Sequence, residues 1–176
     1  MITKPFSPRD IFAQPVVNSS RVFLSPQRYI QGPGVIKNCG LYLSLINAKH
    51  VGVLASKRGF SAEAANVLQS LSEAGIEYSK AEFRGECSKE EVERHTDDLI
   101  SAKPDCILAV GGGKLVDAGK CIAYRLNCQV GIVPTLASND APCSSISVLY
   151  TVDGVKDVVE YFPQNPAFVI VDTEVI

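Results

Sequence analysis

Three consecutive glycines and a lysine, Gly111-Gly112-Gly113-Lys114, are the residues of this sequence best suited to bind an anion. An apolar run at 105–110 precedes them, and apolar residues recur at helical spacing over 115–126. This order predicts a buried strand, a turn without side chains and a helix start. Backbone N–H groups at a helix start favour a phosphate in the turn. Three glycines also let the backbone take positive φ and let a ligand approach closely. The alternative is a purely structural turn, in which glycines serve as turn residues or allow tight strand–helix packing.

Neither of the two common glycine motifs for phosphate binding is present. The P-loop pattern needs an earlier glycine, but Leu108, Ala109 and Val110 lead into the turn. The dinucleotide fingerprint G-x-G-x-x-G needs a glycine where Val116 stands. It also needs an acidic residue about 20 positions on, where the chain has Pro134. The sequence therefore predicts a phosphate-binding turn of another kind.

A second group of polar residues lies in a hydroxyl-rich loop at 135–145, after the next predicted strand. Asp140 in this loop either accepts hydrogen bonds from a polyol or ribose, or caps a short turn. Thr135 and Ser138 offer hydroxyl groups to the same region. Asp117, in the first turn of the helix after the glycines, either complements the helix dipole or binds a ligand held in the turn. Lys114 either pairs with phosphate or faces water.

Alternating strands and helices must position these residues. We predict strands at 28–31, 50–54, 76–83, 105–110, 129–133 and 168–171, and helices at 34–46, 60–73, 89–102 and 114–126. Gly75 ends the second helix, and a capping box of Ser88 and Glu91 opens the third. Two further strands, at 146–150 and 158–162, predict a hairpin.

Short connections between these elements predict an α/β fold, a doubly wound, Rossmann-like parallel sheet with helices on both faces. Ligands of such sheets bind at the carboxyl ends of the strands. The segments expected there are 55–59, 84–87, 111–114 and 134–140.

Length and composition limit the classes of protein. A chain of 176 residues with 46% hydrophobic residues can form one domain with a substantial core. A net charge of −2 gives no basic face, so nucleic acid is not an expected partner. No apolar run reaches the ~20 residues of a membrane helix, so no membrane partner is expected. We predict an N-terminal arm at 1–20 and an α/β domain at 21–176.

Cysteines and histidines give no sign of a metal site. Six scattered cysteines without a C-x-x-C pair predict reduced, mostly buried thiols in a reducing compartment, taken as the cytoplasm. Arginines and serines near the N-terminus also fit a mitochondrial presequence, although Asp10 and three prolines argue against an amphipathic helix. Neither His50 nor His95 lies at metal-ligand spacing from a cysteine or acid. We expect His95 to be solvated among the charged residues of its helix.

Five stretches together resemble a known family. They are Tyr29-Ile30-Gln31-Gly32, Gly85-Glu86-Cys87-Ser88, the glycine turn followed by Asp117, the block at 134–144 and the stretch at 166–173. They are similar to the glycerol dehydrogenase family, iron- or zinc-dependent polyol dehydrogenases related to dehydroquinate synthase. The resemblance covers about 28–176 and is most specific in the hydroxyl-rich block.

The resemblance implies an N-terminal NAD-binding domain whose residues have assigned positions. The pyrophosphate would bind at Gly112, Gly113 and Lys114, near Asp117. The nicotinamide side of the cofactor would contact Thr135 and Ser138. Further contacts would come from Ser144, Ile146 and Tyr150. Asp140 matches the residue that meets glycerol. The implied reaction is NAD-linked oxidation of glycerol to dihydroxyacetone, with zinc or iron polarising the substrate hydroxyl. The full-length protein would be a homo-oligomer.

Two features depart from the family. Ser56, followed by Lys57 and Arg58, stands where the family has an acid suited to the adenosine ribose. NADP is therefore an alternative to NAD, since two cations would suit a 2′-phosphate. The family's metal ligands, one Asp and two His, belong to an all-helical C-terminal domain. This chain ends before that domain, and Asp172, His50 and His95 do not match the ligands.

We therefore expect this chain to bind the cofactor without catalysing hydride transfer alone. Two other interpretations stay open. One is a non-catalytic nucleotide-binding or interaction module, and the other is a related dehydrogenase acting on another polyol.

Overall fold

The computed structural model describes residues 5–12 and 21–176. The strands in those ranges are β1 (Tyr29–Gly32), β2 (His50–Ser56), β3 (Glu77–Phe83), β4 (Cys106–Gly111), β5 (Gln129–Pro134), β6 (Ile146–Tyr150), β7 (Lys156–Tyr161) and β8 (Phe168–Asp172). The helices are α1 (Pro8–Phe12), α2 (Cys39–Ser44), α3 (Lys57–Phe60), α4 (Glu63–Glu73), α5 (Lys89–Ile100) and α6 (Gly113–Leu126). Short 3₁₀ turns lie at Val35–Asn38 and Ala141–Cys143.

Six strands form one sheet in the order β1-β8-β5-β4-β2-β3, and every neighbouring pair is parallel. In β4 every residue but the last is buried, which is typical of a strand covered on both faces. The predicted α/β fold, a doubly wound parallel sheet, is confirmed.

Two hydrophobic cores cover the two faces of this sheet. Side chains of a strand alternate between faces. Leu108 of β4 therefore joins a core with buried residues of α2 and α4, whereas Ile107 joins a core with buried residues of α5 and α6. Helix α6 approaches β4 closely because Gly119 has no side chain: a Cβ there would lie 2.6 Å from the Cβ of Ala109.

The strand order creates a crevice between the carboxyl ends of β2 and β4. These strands are neighbours, but the chain leaves them in opposite directions. From β2 it passes through α4, on one face, to β3; from β4 it passes through α6, on the other face, to β5. Loops at such a switch point diverge and leave room for a ligand. Ser56 ends β2 on one side of the crevice, and the glycine turn ends β4 on the other.

Strands β6 and β7 form a separate antiparallel hairpin, as predicted. The hairpin packs against α6, and the Ser147 hydroxyl donates to the Asp117 carbonyl at 3.0 Å. Phe6, from the predicted N-terminal arm, forms an isolated antiparallel bridge with Tyr161 of β7. The rest of the arm prediction falls largely on 1–4 and 13–20, outside the described residues.

Asp172 joins the end of β8 to the turn after β1. Its carboxylate accepts hydrogen bonds from the N–H groups of Gly34 (2.9 Å), Ile36 (3.0 Å) and Glu174 (2.9 Å), and the residue is 1% exposed. Burial alone would raise the pKa of Asp172, but the three N–H donors outweigh it and hold that pKa below its usual value. Asp172 therefore stabilises the fold as a carboxylate.

Several predicted boundaries shift for local reasons. Strand β2 continues to Ser56, whose hydroxyl accepts from the Gly59 N–H at 3.0 Å and caps α3. A short helix, α3, therefore forms in the segment expected as a loop, and the helix predicted at 60–73 begins only at Glu63, as α4. Gly75 follows α4 with φ of 68°, as expected for a glycine that ends a helix. The helix predicted at 34–46 begins as a 3₁₀ turn and continues as α2.

The capping box at α5 forms only in part. The Ser88 hydroxyl accepts from the Glu91 N–H at 3.2 Å. The Glu91 carboxylate, however, accepts from the Arg84 N–H at 2.7 Å and from the Arg94 guanidinium at 2.7 Å. Glu91 therefore links the end of β3 to α5 instead of closing the box.

The expectation that His95 is solvated is wrong, since the residue is 1% exposed. Its Nε2 lies 3.1 Å from the Glu91 carboxylate and 2.9 Å from the Arg94 guanidinium. Burial and then the charge of Arg94 lower the pKa of His95. His95 lies on the face of α5 that carries Val92 and Leu99, both buried, and that spacing could have placed it in the core.

None of the described helices is long and apolar enough to cross a membrane.

Candidate functional site

The glycine turn leaves backbone donors open to the crevice. Gly112 is the N-cap of α6, and Leu115 and Val116 donate back to its carbonyl, both at 3.0 Å. No acceptor among the described residues contacts the N–H groups of Gly113 and Lys114. These donors begin a 14-residue helix, whose dipole favours an anion at this end.

These glycines are better explained by the close approach of a ligand to the backbone than by a need for positive φ. Gly112 has φ of −83°, which any residue can adopt, and Gly111 is nearly extended at 159°. The expectation that this turn relies on positive φ is therefore wrong for Gly112. A Cβ on Gly112 would make only an ordinary contact with Leu136, at 3.5 Å. A Cβ on Gly113 would lie 3.1 Å from the amide nitrogen of Asn139. A side chain at 112 would thus fit the fold and occupy the space in front of the turn.

Lys114, a predicted phosphate ligand, already has a partner. Its Nζ lies 2.5 Å from Glu86 Oε1, in the loop after β3. The Lys114 side chain is 58% exposed and that of Glu86 is 22% exposed. A bound phosphate would compete with Glu86 for this ammonium group.

Asp117 is buried and does not face an open turn. Its Oδ2 accepts from the Val148 N–H at 3.1 Å, and the Lys120 ammonium lies 2.9 Å from its Oδ1. The Asp117 side chain is 13% exposed and that of Lys120 only 2%. In this structure the Asp117 carboxylate joins α6 to the hairpin; direct contact with a cofactor stays a prediction.

Lys120 was missed in the sequence, yet it contacts several predicted site residues. Its ammonium donates to the carbonyl of Ala141 at 3.0 Å, to the carbonyl of Ile146 and to the hydroxyl of Ser144 at 3.4 Å. The Ser144 hydroxyl also donates towards the Ile146 carbonyl at 3.3 Å. The Ile146 side chain itself is 38% exposed.

Tyr150 ends β6 beside the loop that contains Glu86. Its N–H donates to the carbonyl of Cys87 at 2.8 Å, so the far end of β6 is joined to the β3–α5 loop. The β3–α5 loop therefore also borders the site. Its Glu86 side chain pairs with Lys114, and its Cys87 carbonyl accepts from the Tyr150 N–H.

Thr135, Ser138 and Asp140 lie in the loop after β5, next to the glycine turn. The Thr135 N–H donates to the Gly111 carbonyl at 3.2 Å. Thr135 is half-buried, whereas Ser138 and Asp140 are exposed. Asp140 precedes the 3₁₀ turn Ala141–Cys143, but its side chain makes no capping hydrogen bond. The capping alternative is therefore wrong, and this carboxylate remains open to a ligand.

Ser56 lies across the crevice from the glycine turn, and its hydroxyl is occupied as the cap of α3. Lys57 and Arg58 follow it and are exposed. Within the described ranges, no hydrogen bond or ion pair joins either side chain to another residue. The end of β2 therefore presents two unpaired cations and no carboxylate.

The described residues do not form a metal site. No group of three His, Cys, Asp or Glu side chains within 5–12 and 21–176 could hold an ion. The imidazole of His50 contacts the Ala102 carbonyl and the Ser79 hydroxyl at 3.0 and 2.9 Å. His95 is buried in α5, and Asp172 is occupied by backbone donors. These residues do not fit the metal that the family resemblance implies.

All six cysteines are free thiols, as predicted. Cys39, Cys87, Cys106 and Cys121 are buried, Cys128 is half-buried and Cys143 is exposed. Burial, then the charge of Asp172, raises the pKa of Cys39 to about 12, which keeps this thiol protonated and unreactive.

Comparison with known proteins identifies the family of this chain. The model of the iron-containing alcohol dehydrogenases matches residues 26–173. This chain belongs to the iron-containing alcohol dehydrogenase family. Among curated members, glycerol dehydrogenase of Escherichia coli O6:H1 is 39% identical over 156 residues, covering 89% of this chain and 42% of that protein.

Solved structures of the family agree with the observed fold. A probable glycerol dehydrogenase from Sinorhizobium meliloti superposes with a TM-score of 0.81 at 34% identity, covering 89% of this chain and 42% of that one. Glycerol dehydrogenase of Schizosaccharomyces pombe gives a TM-score of 0.79 at 38% identity, covering 89% and 40%. The predicted resemblance is confirmed, and the chain spans about two-fifths of the length of the iron-containing alcohol dehydrogenases it matches.

Proposed function

We propose that this chain is the NAD-binding half of a glycerol dehydrogenase-like oxidoreductase. The cofactor would lie across the crevice between β2 and β4. Its pyrophosphate would meet the N–H groups of Gly113 and Lys114, and its nicotinamide would extend towards Thr135 and Ser138. Ser144, Ile146 and Tyr150 would supply further contacts to the cofactor.

The observation that carries this proposal is the pair of open N–H groups at the start of α6. They combine three properties that a pyrophosphate needs: donors without internal acceptors, the positive end of a long helix, and a surface without side chains. Their position at the switch point of the sheet leaves room for a dinucleotide on both sides.

The proposed reaction converts glycerol and NAD to dihydroxyacetone, NADH and a proton. A hydride leaves the central carbon of glycerol for the nicotinamide ring, and the hydroxyl on that carbon loses its proton. Asp140 would accept a hydrogen bond from a glycerol hydroxyl. Polarisation of the reacting hydroxyl needs a metal, for which the described residues supply no ligand set. We therefore propose that this chain alone binds the cofactor but is inactive as a dehydrogenase.

A calorimetric titration with NAD tests the proposal, with Gly112→Val as the decisive variant. The backbone of Gly112 suits valine, and its Cβ would make only ordinary contacts, so the variant should fold while blocking the turn. Ala65→Val, on an exposed site of α4, is the control for the added side chain. Saturable NAD binding, lost only in Gly112→Val, is expected. Absence of binding by the folded wild-type chain would contradict the proposal and favour a non-catalytic module.

A parallel titration with NADP tests the alternative cofactor. Lys57 and Arg58 are exposed and unpaired at the end of β2, where a carboxylate would repel a 2′-phosphate and none is present. Tighter binding of NADP than of NAD, reversed in Lys57→Glu/Arg58→Glu, would assign the site to NADP. If wild type and the double variant bind NADP with equal affinity, these two cations have no role in choosing the cofactor.

A further inference from the structure

We infer that Lys120 is a positioning residue that holds the nicotinamide side of the site in register with the phosphate side. The inference rests on the proposed function for what each side binds. Lys120 itself contacts no open part of the crevice, so it would act through the residues around it.

The contacts of Lys120 join two separate segments of the chain. It lies in the middle of α6, whose first residues form the glycine turn, and its ammonium contacts the carboxylate of Asp117 on the same helix. The same ammonium donates to the carbonyl of Ala141, within the hydroxyl-rich loop, and to the carbonyl of Ile146, the first residue of the hairpin. One cation therefore holds the loop against the helix.

The burial of the Lys120 ammonium requires its oxygen partners to stay in place. The Lys120 side chain is 2% exposed, and a buried ammonium without oxygen partners is strongly unfavourable. The carbonyls of 141 and 146 must therefore remain near the helix for as long as Lys120 stays buried. The ion pair with Asp117 fixes the ammonium, and Asp117 Oδ2 holds the Val148 N–H. Any movement of the loop away from α6 would leave both charges incompletely paired.

A purely structural role would lower the affinity for every ligand of the domain in the same proportion. A positioning role would instead change the affinity for each ligand according to the part of the crevice that the ligand reaches. ADP reaches only the glycine turn and the end of β2, whereas NADH also reaches the hydroxyl-rich loop. Loss of Lys120 should therefore weaken NADH binding much more than ADP binding.

The test compares ADP and NADH binding in wild type, Lys120→Met and the control Lys49→Met. Lys49 is exposed and precedes the amino end of β2, the end opposite the crevice. In Lys120→Met we expect NADH to bind at least tenfold more weakly while ADP binding changes less than twofold. Lys49→Met should change neither. Equal weakening of both ligands, or no weakening of either, would overturn the inference.

Amide hydrogen exchange provides a second measurement that needs no ligand. Residues 141–150 should exchange at least tenfold faster in Lys120→Met, with β2 and β4 unchanged. If Lys120→Met does not fold, Asp117→Asn/Lys120→Met removes both charges and takes its place. Unchanged exchange at 141–150 would refute the positioning role even if NADH binds. If wild type binds neither ADP nor NADH but residues 141–150 exchange faster in the variant, only the proposed function is refuted.

Discussion

Glu86→Gln should increase the affinity of this chain for ADP. Glu86 holds the Lys114 ammonium at 2.5 Å, next to the open N–H groups of the glycine turn. A phosphate that binds Lys114 must first displace this carboxylate. Glutamine keeps the shape of the side chain but removes the charge, so the ammonium becomes available to the ligand.

The expected gain follows from the exposure of the pair. The two side chains are 58% and 22% exposed, and ion pairs that are open to water contribute about 0.2–1 kcal/mol. That free energy opposes phosphate binding in wild type and is absent in the variant. Since 1.4 kcal/mol corresponds to a tenfold change in Kd, the variant should bind ADP about 1.4- to 5-fold more tightly.

Calorimetric titration of a double-mutant cycle measures this effect. Lys114→Met removes the ammonium, and in that background Glu86→Gln should change the Kd for ADP no more than the control Glu90→Gln does. Glu90 is exposed in the first turn of α5, so the control removes a nearby charge without touching Lys114. The gain should also decrease in high salt. Weaker ADP binding in Glu86→Gln, or the same gain in both backgrounds, would refute the competition.

Three further predictions concern the scaffold and are measured by urea unfolding. Gly119→Val should lower the free energy of unfolding by about 1–3 kcal/mol, because its Cβ would overlap Ala109; an unchanged urea midpoint would contradict the close packing of α6. Ser88→Ala should cost about 1 kcal/mol through loss of the cap on Glu91 N–H, whereas no loss would mean that water replaces the hydroxyl. Asp172→Asn should cost about 1–3 kcal/mol at neutral pH. The folded-state pKa of Asp172 is lowered, so its stabilisation is present above the unfolded-state pKa, about 3.9, and is lost as pH falls through the lower folded value. The difference from wild type should therefore shrink below about pH 4, and a difference that does not depend on pH would refute the carboxylate role.

Much of the fold could be predicted because its signals are local. The apolar run before Gly111 has the length of a buried strand, and the spacing after Gly113 is helical, so β4 and α6 were placed within one or two residues. The short helix α3 was missed because Ser56 acts as its cap only once β2 extends to that residue. That extension depends on pairing between β2 and β3 through Ser56 and Phe83, a contact between distant parts of the chain.

The candidate site was harder to predict because half of it consists of contacts between segments. Lys120 follows Asp117 by three residues, a spacing that normally indicates an exposed helix pair. Its burial depends on carbonyls at 141 and 146 that only the folded loop brings near. The Lys114–Glu86 contact likewise joins segments 28 residues apart. Sequence reasoning could name the residue types of the site, but not which of them were already paired.

This distinction separates the predicted site residues into two groups. The N–H groups of Gly113 and Lys114 and the carboxylate of Asp140 have no internal partners and can contact a ligand directly. Asp117 and Ser144 are already bonded within the chain, together with Lys120. The family resemblance implies cofactor binding for Gly113, Lys114, Asp117 and Ser144 and substrate binding for Asp140, so it does not separate open groups from groups that are already bonded. Substitutions separate them physically: changes in the first group should alter affinity at constant stability, whereas changes in the second should alter affinity and local stability together.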